Sequence, residues 1–147
     1  MIELKNRSAF HEYHIEDTYV AGLVLVGTEV KALRSGKASF NDSYCYFHDD
    51  ELFIKSLHIS EYAFGTTQKH EPLQERKLLL TKRELKKLQT KTSEKGYTIV
   101  PLRIFFNEKN IAKMEIGIGK GKKLHDKRET IKQRDTEKEM KRYLNKR

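Results

Sequence analysis

Apolar and polar positions alternate most regularly in Ile111–Ile118. Ala112, Met114, Ile116 and Ile118 share one face, and Ile111, Lys113 and Glu115 the other, the period-two signature of a half-buried strand. Tyr97–Phe106 reads as the strand before it, joined through a turn at Asn107–Asn110. Pro101 cannot donate to a ladder, so it predicts an edge or a bulge. Upstream, residues 9–26 alternate loosely through His11, Tyr13 and Ile15 and then turn apolar, which predicts one long strand with Gly22 at a bend or bulge. Thr28 is placed to cap a short helix through Leu33, closed by Gly36, with Val30 and Leu33 inward. Tyr44–Phe47 and Leu52–Ile59 predict a hairpin around His48–Glu51, and Ser60–Glu75, punctuated by Gly65 and Pro72, a loop.

The plainest helix start follows Leu78-Leu79-Leu80. Thr81 and Glu84 form a T-x-x-E capping box, Leu80 can staple onto Leu85, and Leu85 and Leu88 give a narrow stripe that ends before Gly96. A strand cannot bury both its faces equally, so one leucine of the triplet is expected to face outward. Five or six strands with two short helices make the chain mainly β, and we expect an OB-like closed antiparallel barrel over residues 1–124.

Past Gly117 the alternation gives way to G-I-G-K-G-K-K-L-H-D-K-R (117–128), where three glycines permit close approach of another backbone and five cations face a single acid. From there on the apolar residues are too sparse for a stripe: in 129–147 they are Ile131, Met140, Tyr143 and Leu144. Isolated helices of such length are marginal in water. Residues 125–147 are therefore expected to form a basic tail, disordered when free and helical when held.

Charge sharpens this picture. The chain has 147 residues, 37% apolar, with a formal net charge of +9. Residues 121–147 hold eleven Lys and Arg against five Asp and Glu, so two thirds of the excess lies in the last 27 residues. Nucleic acid is the expected partner; a membrane surface is not, because the tail lacks the aromatic and leucine face of an interfacial helix. Lys31, Arg34 and Lys37, Arg76 and Lys77, and Lys120–Arg128 lie at element boundaries, where a barrel can gather them. Tyr13, Tyr44, Tyr62, Phe64 and Tyr97 offer stacking platforms.

Other chemistry is not written in the chain. Cys45 is the lone cysteine and sits in an aromatic strand-like run, as core filler. His11-Glu12-Tyr13-His14 places its second histidine one position early for H-E-x-x-H, and 117–122 fits neither glycine-rich phosphate template. The acids at 49–51 read as a solvated turn. We expect no catalysis, cofactor, metal or small-molecule substrate. With no apolar leader or spanning run, a cytoplasmic monomer is expected. From composition alone, a general single-strand-binding or ribosome-associated OB module stays open beside a dedicated adaptor.

The ordered set N-R-S-A-F-H-E-Y-H-I (6–15), A-G-L-V-L-V-G-T-E-V-K-A-L-R-S-G-K-A (21–38), D-S-Y (42–44), R-K-L-L-L-T-K-R-E-L (76–85), G-Y-T-I-V-P-L (96–102) and G-K-G-K-K-L-H-D-K-R (119–128) resembles the SmpB family, the partner of transfer-messenger RNA (tmRNA, SsrA) in bacterial ribosome rescue. The resemblance implies an OB-like barrel that binds the tRNA-like domain of tmRNA. It also implies a tail that enters the decoding centre and the empty mRNA channel for trans-translation, against small-subunit ribosomal RNA. On it, Asn6 falls on the family's tmRNA-contacting asparagine, Leu79 and Lys113 on its RNA face, and Gly119, Lys120, Gly121, Lys122 and Lys123 on its glycine–lysine stretch. Arg7, Lys31, Arg34, Lys37, Arg76 and Lys77 complete the expected RNA-binding set. His125, Asp126, Lys127, Arg128, Ile131, Lys132, Arg134 and Tyr143 are the expected ribosome-contacting positions. The chain departs from the pattern at Val20, where some relatives carry an acid, at Gln74-Glu75, where Arg-Thr is more usual, and at Thr136, where some carry tryptophan.

Overall fold

The structure, a computed structural model, describes residues 3–61 and 70–122. Strands β1 (Glu3–Lys5), β2 (Tyr13–Leu23), β3 (Ala38–Ser39), β4 (Tyr44–His48), β5 (Glu51–Lys55), β6 (His58–Ile59), β7 (Arg76–Leu79), β8 (Tyr97–Phe106) and β9 (Ala112–Gly121) alternate with helices α1 (Arg7–Glu12), α2 (Gly27–Arg34) and α3 (Lys82–Thr92). Seven strands form one antiparallel sheet in the order β1-β8-β9-β2-β7-β5-β4, and β3 pairs with β6 beside it.

The expected closed barrel is not what forms. β1 and β4 are the two edges, and no ladder joins them. The reason lies in β8, which is long enough to pair with β9 on one side but spends its other side on β1 only over Arg103–Phe105. Its first half, Tyr97–Ile99, lies opposite Cys45–Phe47 of β4 across a narrow gap rather than a ladder. The sheet curls without closing.

Local chemistry explains the elements. At the β4–β5 turn both Asp49 and Asp50 have positive φ, 51° and 64°, the geometry of a tight type I′ hairpin that Asp tolerates better than most residues. The predicted Leu52–Ile59 strand breaks into β5 and β6 because Ser56 turns to φ 65°. The register of β8 on β9 slips between Pro101 and Arg103, the bulge expected at the proline. In β2 the slip falls between Ile15 and Asp17 instead of at Gly22. Residues 9–12, the start of the expected long strand, instead belong to α1, whose Ala9 packs on Val100 and Leu102; a helix of six residues is too short to show a helical period.

At α2 the N-cap is Val26 rather than Thr28. The Val26 N–H donates to Glu29 Oε1 (2.9 Å), while the Thr28 hydroxyl meets His70 Nδ1 at 2.8 Å. Leu33 is buried as expected, but Val30 is only half-buried and Ala32 takes the inward position. The T-x-x-E box of α3 forms as expected: Glu84 N–H donates to Thr81 Oγ1 (3.1 Å) and Thr81 N–H to Glu84 Oε1 (3.0 Å). Leu88 enters the main core with Leu33, Leu52, Ile54, Leu78, Met114, Ile116 and Ile118. Cys45 is buried among them, where burial raises its thiol pKa, so it is kept protonated and inert.

Candidate RNA-binding face

Ala21 and Leu23 point into the core, so Val20, Gly22 and Val24 share the outer face of the sheet. The registers then lay out a row across that face. Leu79 on β7 is opposite Gly22 on β2, Gly22 is opposite Lys113 on β9, and Lys113 is opposite Phe105 on β8. A Cβ at Gly22 would stand 3.3 Å from Leu79 Cβ, so the missing side chain leaves room for Leu79 to lie flat over β2. Leu78 is buried, and Leu79 is 52% exposed, with Val20 at 49% and Val24 at 46%. The triplet's expected outward leucine is Leu79. Together these side chains make an apolar shelf on a sheet face open to water.

Cations edge the shelf. Lys113 stands half-buried beside it. Lys77, opposite Phe53 on the same face, holds Glu51 at 2.7 Å. Arg103 stacks 4.2 Å over the Phe105 ring, with Nε donating to Glu115 Oε1 (2.6 Å) and Nη1 to Glu3 Oε2 (2.9 Å). Hydrogen bonding to Glu115 is the largest influence on its pKa and raises it despite partial burial. Lys31 and Arg34 are exposed on α2. Arg34 packs on Phe106 (4.6 Å) and donates to Asn110 O (3.4 Å), which brings α2 to the Lys113 end of β9. Lys37 is exposed just past α2.

A second group gathers at the other end of β2 and β9. Asn6 donates from Nδ2 to Pro101 O (2.7 Å), and its N–H donates to Leu102 O (2.8 Å), so it latches α1 onto the β8 bulge. With Arg7, Ser8, Tyr13, Asn41 and Tyr44 it lines a cleft of about 760 Å³. Gly119 pairs with Ile15 and Thr98, Lys120 with His14 and Tyr97, and Gly121 with Tyr13. Lys122 reaches Phe10 O (3.0 Å) at the end of α1. Gly119, Lys120 and Gly121 are therefore part of the sheet, and Lys122 follows directly past its end. Lys123, Tyr62, Phe64 and the expected tail positions 125–147 lie outside the described residues.

One expected RNA-binding residue is misplaced by the sequence reading. Arg76 is 2% exposed. Its Nε and Nη2 bind Glu29 Oε2 (2.6 and 2.5 Å), and its remaining donors reach the carbonyls of Leu57, Glu71 and Pro72. Strand alternation is the reason: with Lys77 and Leu79 outward, Arg76 and Leu78 must point in. The reading also missed Arg103 with its two glutamates, although Glu115 had been placed on the outer face.

A water-facing apolar shelf edged by Lys and Arg on a mainly β scaffold defines a class: a β-sheet protein built to dock a polyanion with exposed bases or riboses. The family model described as SmpB protein matches residues 3–146, and the chain belongs to the SmpB family. It is 50% identical over 143 residues to an SsrA-binding protein of Phocaeicola vulgatus, covering 97% of this chain and 95% of that one. An SsrA-binding protein of Cytophaga hutchinsonii is 52% identical over 141 residues, covering 96% and 92%. A solved chain described under "tmRNA-SmpB: a journey to the center of the bacterial ribosome" aligns with a TM-score of 0.70 at 47% identity, over 83% of this chain and 85% of that one.

Proposed function

We propose that this protein binds the tRNA-like domain of tmRNA through its outer sheet face and delivers it to stalled ribosomes for trans-translation. The observation that carries this reading is the shelf itself: Leu79 laid over Gly22, with Val20 beside it and Lys113 across the strand. An apolar side chain half in water gains by covering a base or ribose, and the flanking ammonium groups neutralise the phosphates on either side. Shape and backbone are read in this way, with no need for base-edge hydrogen bonds.

Residues 125–147 act as the ribosome-facing part, occupying the decoding centre and the vacant mRNA channel. The protein works as an adaptor in the cytoplasm, where its RNA partners are, and contributes no catalysis of its own. If about five to seven phosphates are neutralised, log affinity falls with log salt at a slope of roughly −4 to −6. The test is a gel shift of the full chain with the tRNA-like domain, competed by random RNA of equal length and by a poly-pyrimidine strand. Selective retention of the tRNA-like domain supports the assignment; equal competition by either rival sinks it.

A further inference from the structure

One carboxylate is out of place on a face edged by cations. Glu115 lies in the middle of the outer sheet face, directly opposite Val20 on β2 and Arg103 on β8, and Arg103 is opposite Lys5 on β1. These four make a row beside the shelf row of Phe105, Lys113, Gly22 and Leu79. The charged groups around Glu115 are therefore Arg103 and Lys5 in its own row, and Lys113 and Glu3 in the next. Its side chain is 24% exposed, so it neither swings in water nor hides from a ligand.

Glu115 is held in one direction. Arg103 Nε donates to its Oε1 at 2.6 Å, and the guanidinium is itself fixed by Glu3 Oε2 (2.9 Å) and by the Phe105 ring under it (4.2 Å). A planar guanidinium sets geometry as well as charge. Among the described residues, one of the roughly four lone-pair sites of the carboxylate is used, and Oε2 has no partner.

A fixed carboxylate beside half-exposed Val20 repels phosphate and can only accept hydrogen bonds. Unpaired bases offer donors on their Watson–Crick edges, and riboses offer the 2′-hydroxyl. Guanine alone carries two adjacent donors there, N1–H and the N2 amino group, which match two carboxylate oxygens. Adenine and cytosine set a ring-nitrogen acceptor beside their amino group, and uracil flanks its N3–H with two carbonyls. Each of those would turn a lone pair toward the carboxylate. Lys113, two residues along β9 and about 7 Å away at roughly 3.3 Å per residue, is placed to neutralise the phosphate of the same nucleotide.

We propose that Glu115, oriented by Arg103, reads one unpaired guanine of the tRNA-like domain, the base lying on Val20 with its Watson–Crick edge on the carboxylate. This rests on the tmRNA reading, and adds one base-edge contact to a face that otherwise reads shape and backbone.

The test uses the full chain, its variants Glu115→Gln and Glu3→Gln, and tRNA-like domains with single substitutions. Each unpaired guanosine is replaced in turn by inosine, which lacks the N2 amino group, or by 2′-deoxyguanosine. Circular dichroism gives the folded fraction on which each affinity is scored. By charge alone, removing a carboxylate from a polyanion-binding face should tighten binding. Here Glu115→Gln is expected to weaken it about tenfold, while Glu3→Gln stays within about twofold of the parent. At one position inosine should cost the parent about tenfold and cost Glu115→Gln almost nothing further. Unchanged or tighter binding by Glu115→Gln overturns the proposal, as do losses that simply multiply and an equal loss for Glu3→Gln. Coupling of Glu115 to a 2′-deoxy position in place of an inosine one also overturns it. A parent chain that prefers the tRNA-like domain to random RNA but tolerates every inosine strikes this proposal alone. A parent with no such preference strikes the proposed function, and this site with it.

Discussion

Arg76→Met removes a guanidinium while keeping most of its volume, and it separates a structural arginine from an RNA-binding one. Glu29, 1% exposed, would keep only Gln74 Nε2 and the Val26 N–H, both at 2.9 Å, as donors. The carbonyls of Leu57, Glu71 and Pro72 would each lose a donor. In the parent, burial lowers the Arg76 pKa while the hydrogen bond and charge of Glu29 oppose it, and a guanidinium so paired stays charged. Breaking a buried pair from one side costs about 3–5 kcal/mol, because the other charge is stranded. At roughly 4 °C per kcal/mol, the Tm should drop by about 12–20 °C. Glu29→Gln/Arg76→Met should recover a good part of that loss, since no stranded charge remains. Thermal unfolding followed by circular dichroism measures the first quantity. A gel shift at low temperature, scored on the folded fraction, measures the second, and there Arg76→Met should hold tmRNA affinity within about threefold. A Tm drop of only a few degrees with a tenfold loss of affinity would refute the reasoning and return Arg76 to the RNA face.

Leu79→Ala should leave stability within about 0.5 kcal/mol, as for exposed sites generally, yet weaken tmRNA binding roughly tenfold; denaturant melts and gel shifts on one preparation decide it. Lys113→Ala should lower the salt slope of tmRNA binding by about 0.7 to 0.9, the share of one phosphate contact, and an unchanged slope would remove Lys113 from the contact. A Cβ at Gly119 would stand 2.1 Å from His14 O, whereas at Gly121 the nearest atom is 3.9 Å away. Gly119→Ala should therefore destabilise by about 3 kcal/mol or prevent folding, as overpacking does, and Gly121→Ala should melt like the parent. Truncation after Lys123 should keep tmRNA affinity within about twofold and abolish trans-translation on stalled ribosomes; equal loss of both would make the tail part of the RNA grip.

Much of this was legible where a single physical period ruled. The inward set Ala112, Met114, Ile116 and Ile118 is buried as the alternation required, and the Thr81–Glu84 box needs only local contacts. An outward leucine followed from strand geometry, and the family pattern picked out which one. What could not be read depended on partners far along the chain. Alternation turns Arg76 inward once Leu79 faces out, but that a charge is tolerated there depends on a glutamate 47 residues away. Closure of the barrel turned on how much of β8 the short β1 would occupy, a matter of register between segments some hundred residues apart.

The glycine–lysine stretch gains a sharper role from the close approaches that hold it. A Cβ at Gly117 would meet Ile15 Cγ2 at 2.8 Å and Leu102 Cδ1 at 3.0 Å, and Gly119 is tighter still against His14. Neither glycine has a positive φ, so they are there to let β2 and β9 close on each other and not to bend the chain. Lys113 on the RNA-facing row is thereby fixed on β9, and Lys122 directly past its end. Lys113 and Lys122 are nine residues apart, about 30 Å at 3.3 Å per residue. A flexible joint at 117–121 would let the tail start anywhere around the bound RNA. A strand clamped by two glycines brings the chain as far as Lys122 to one place, beside α1, where Lys122 is tied to Phe10 O. It follows that Gly117→Ala, by loosening this clamp, should impair trans-translation more than it impairs tmRNA binding in whatever fraction folds. A proportional loss of both would mean that the sheet and the tail are not geometrically coupled through β9.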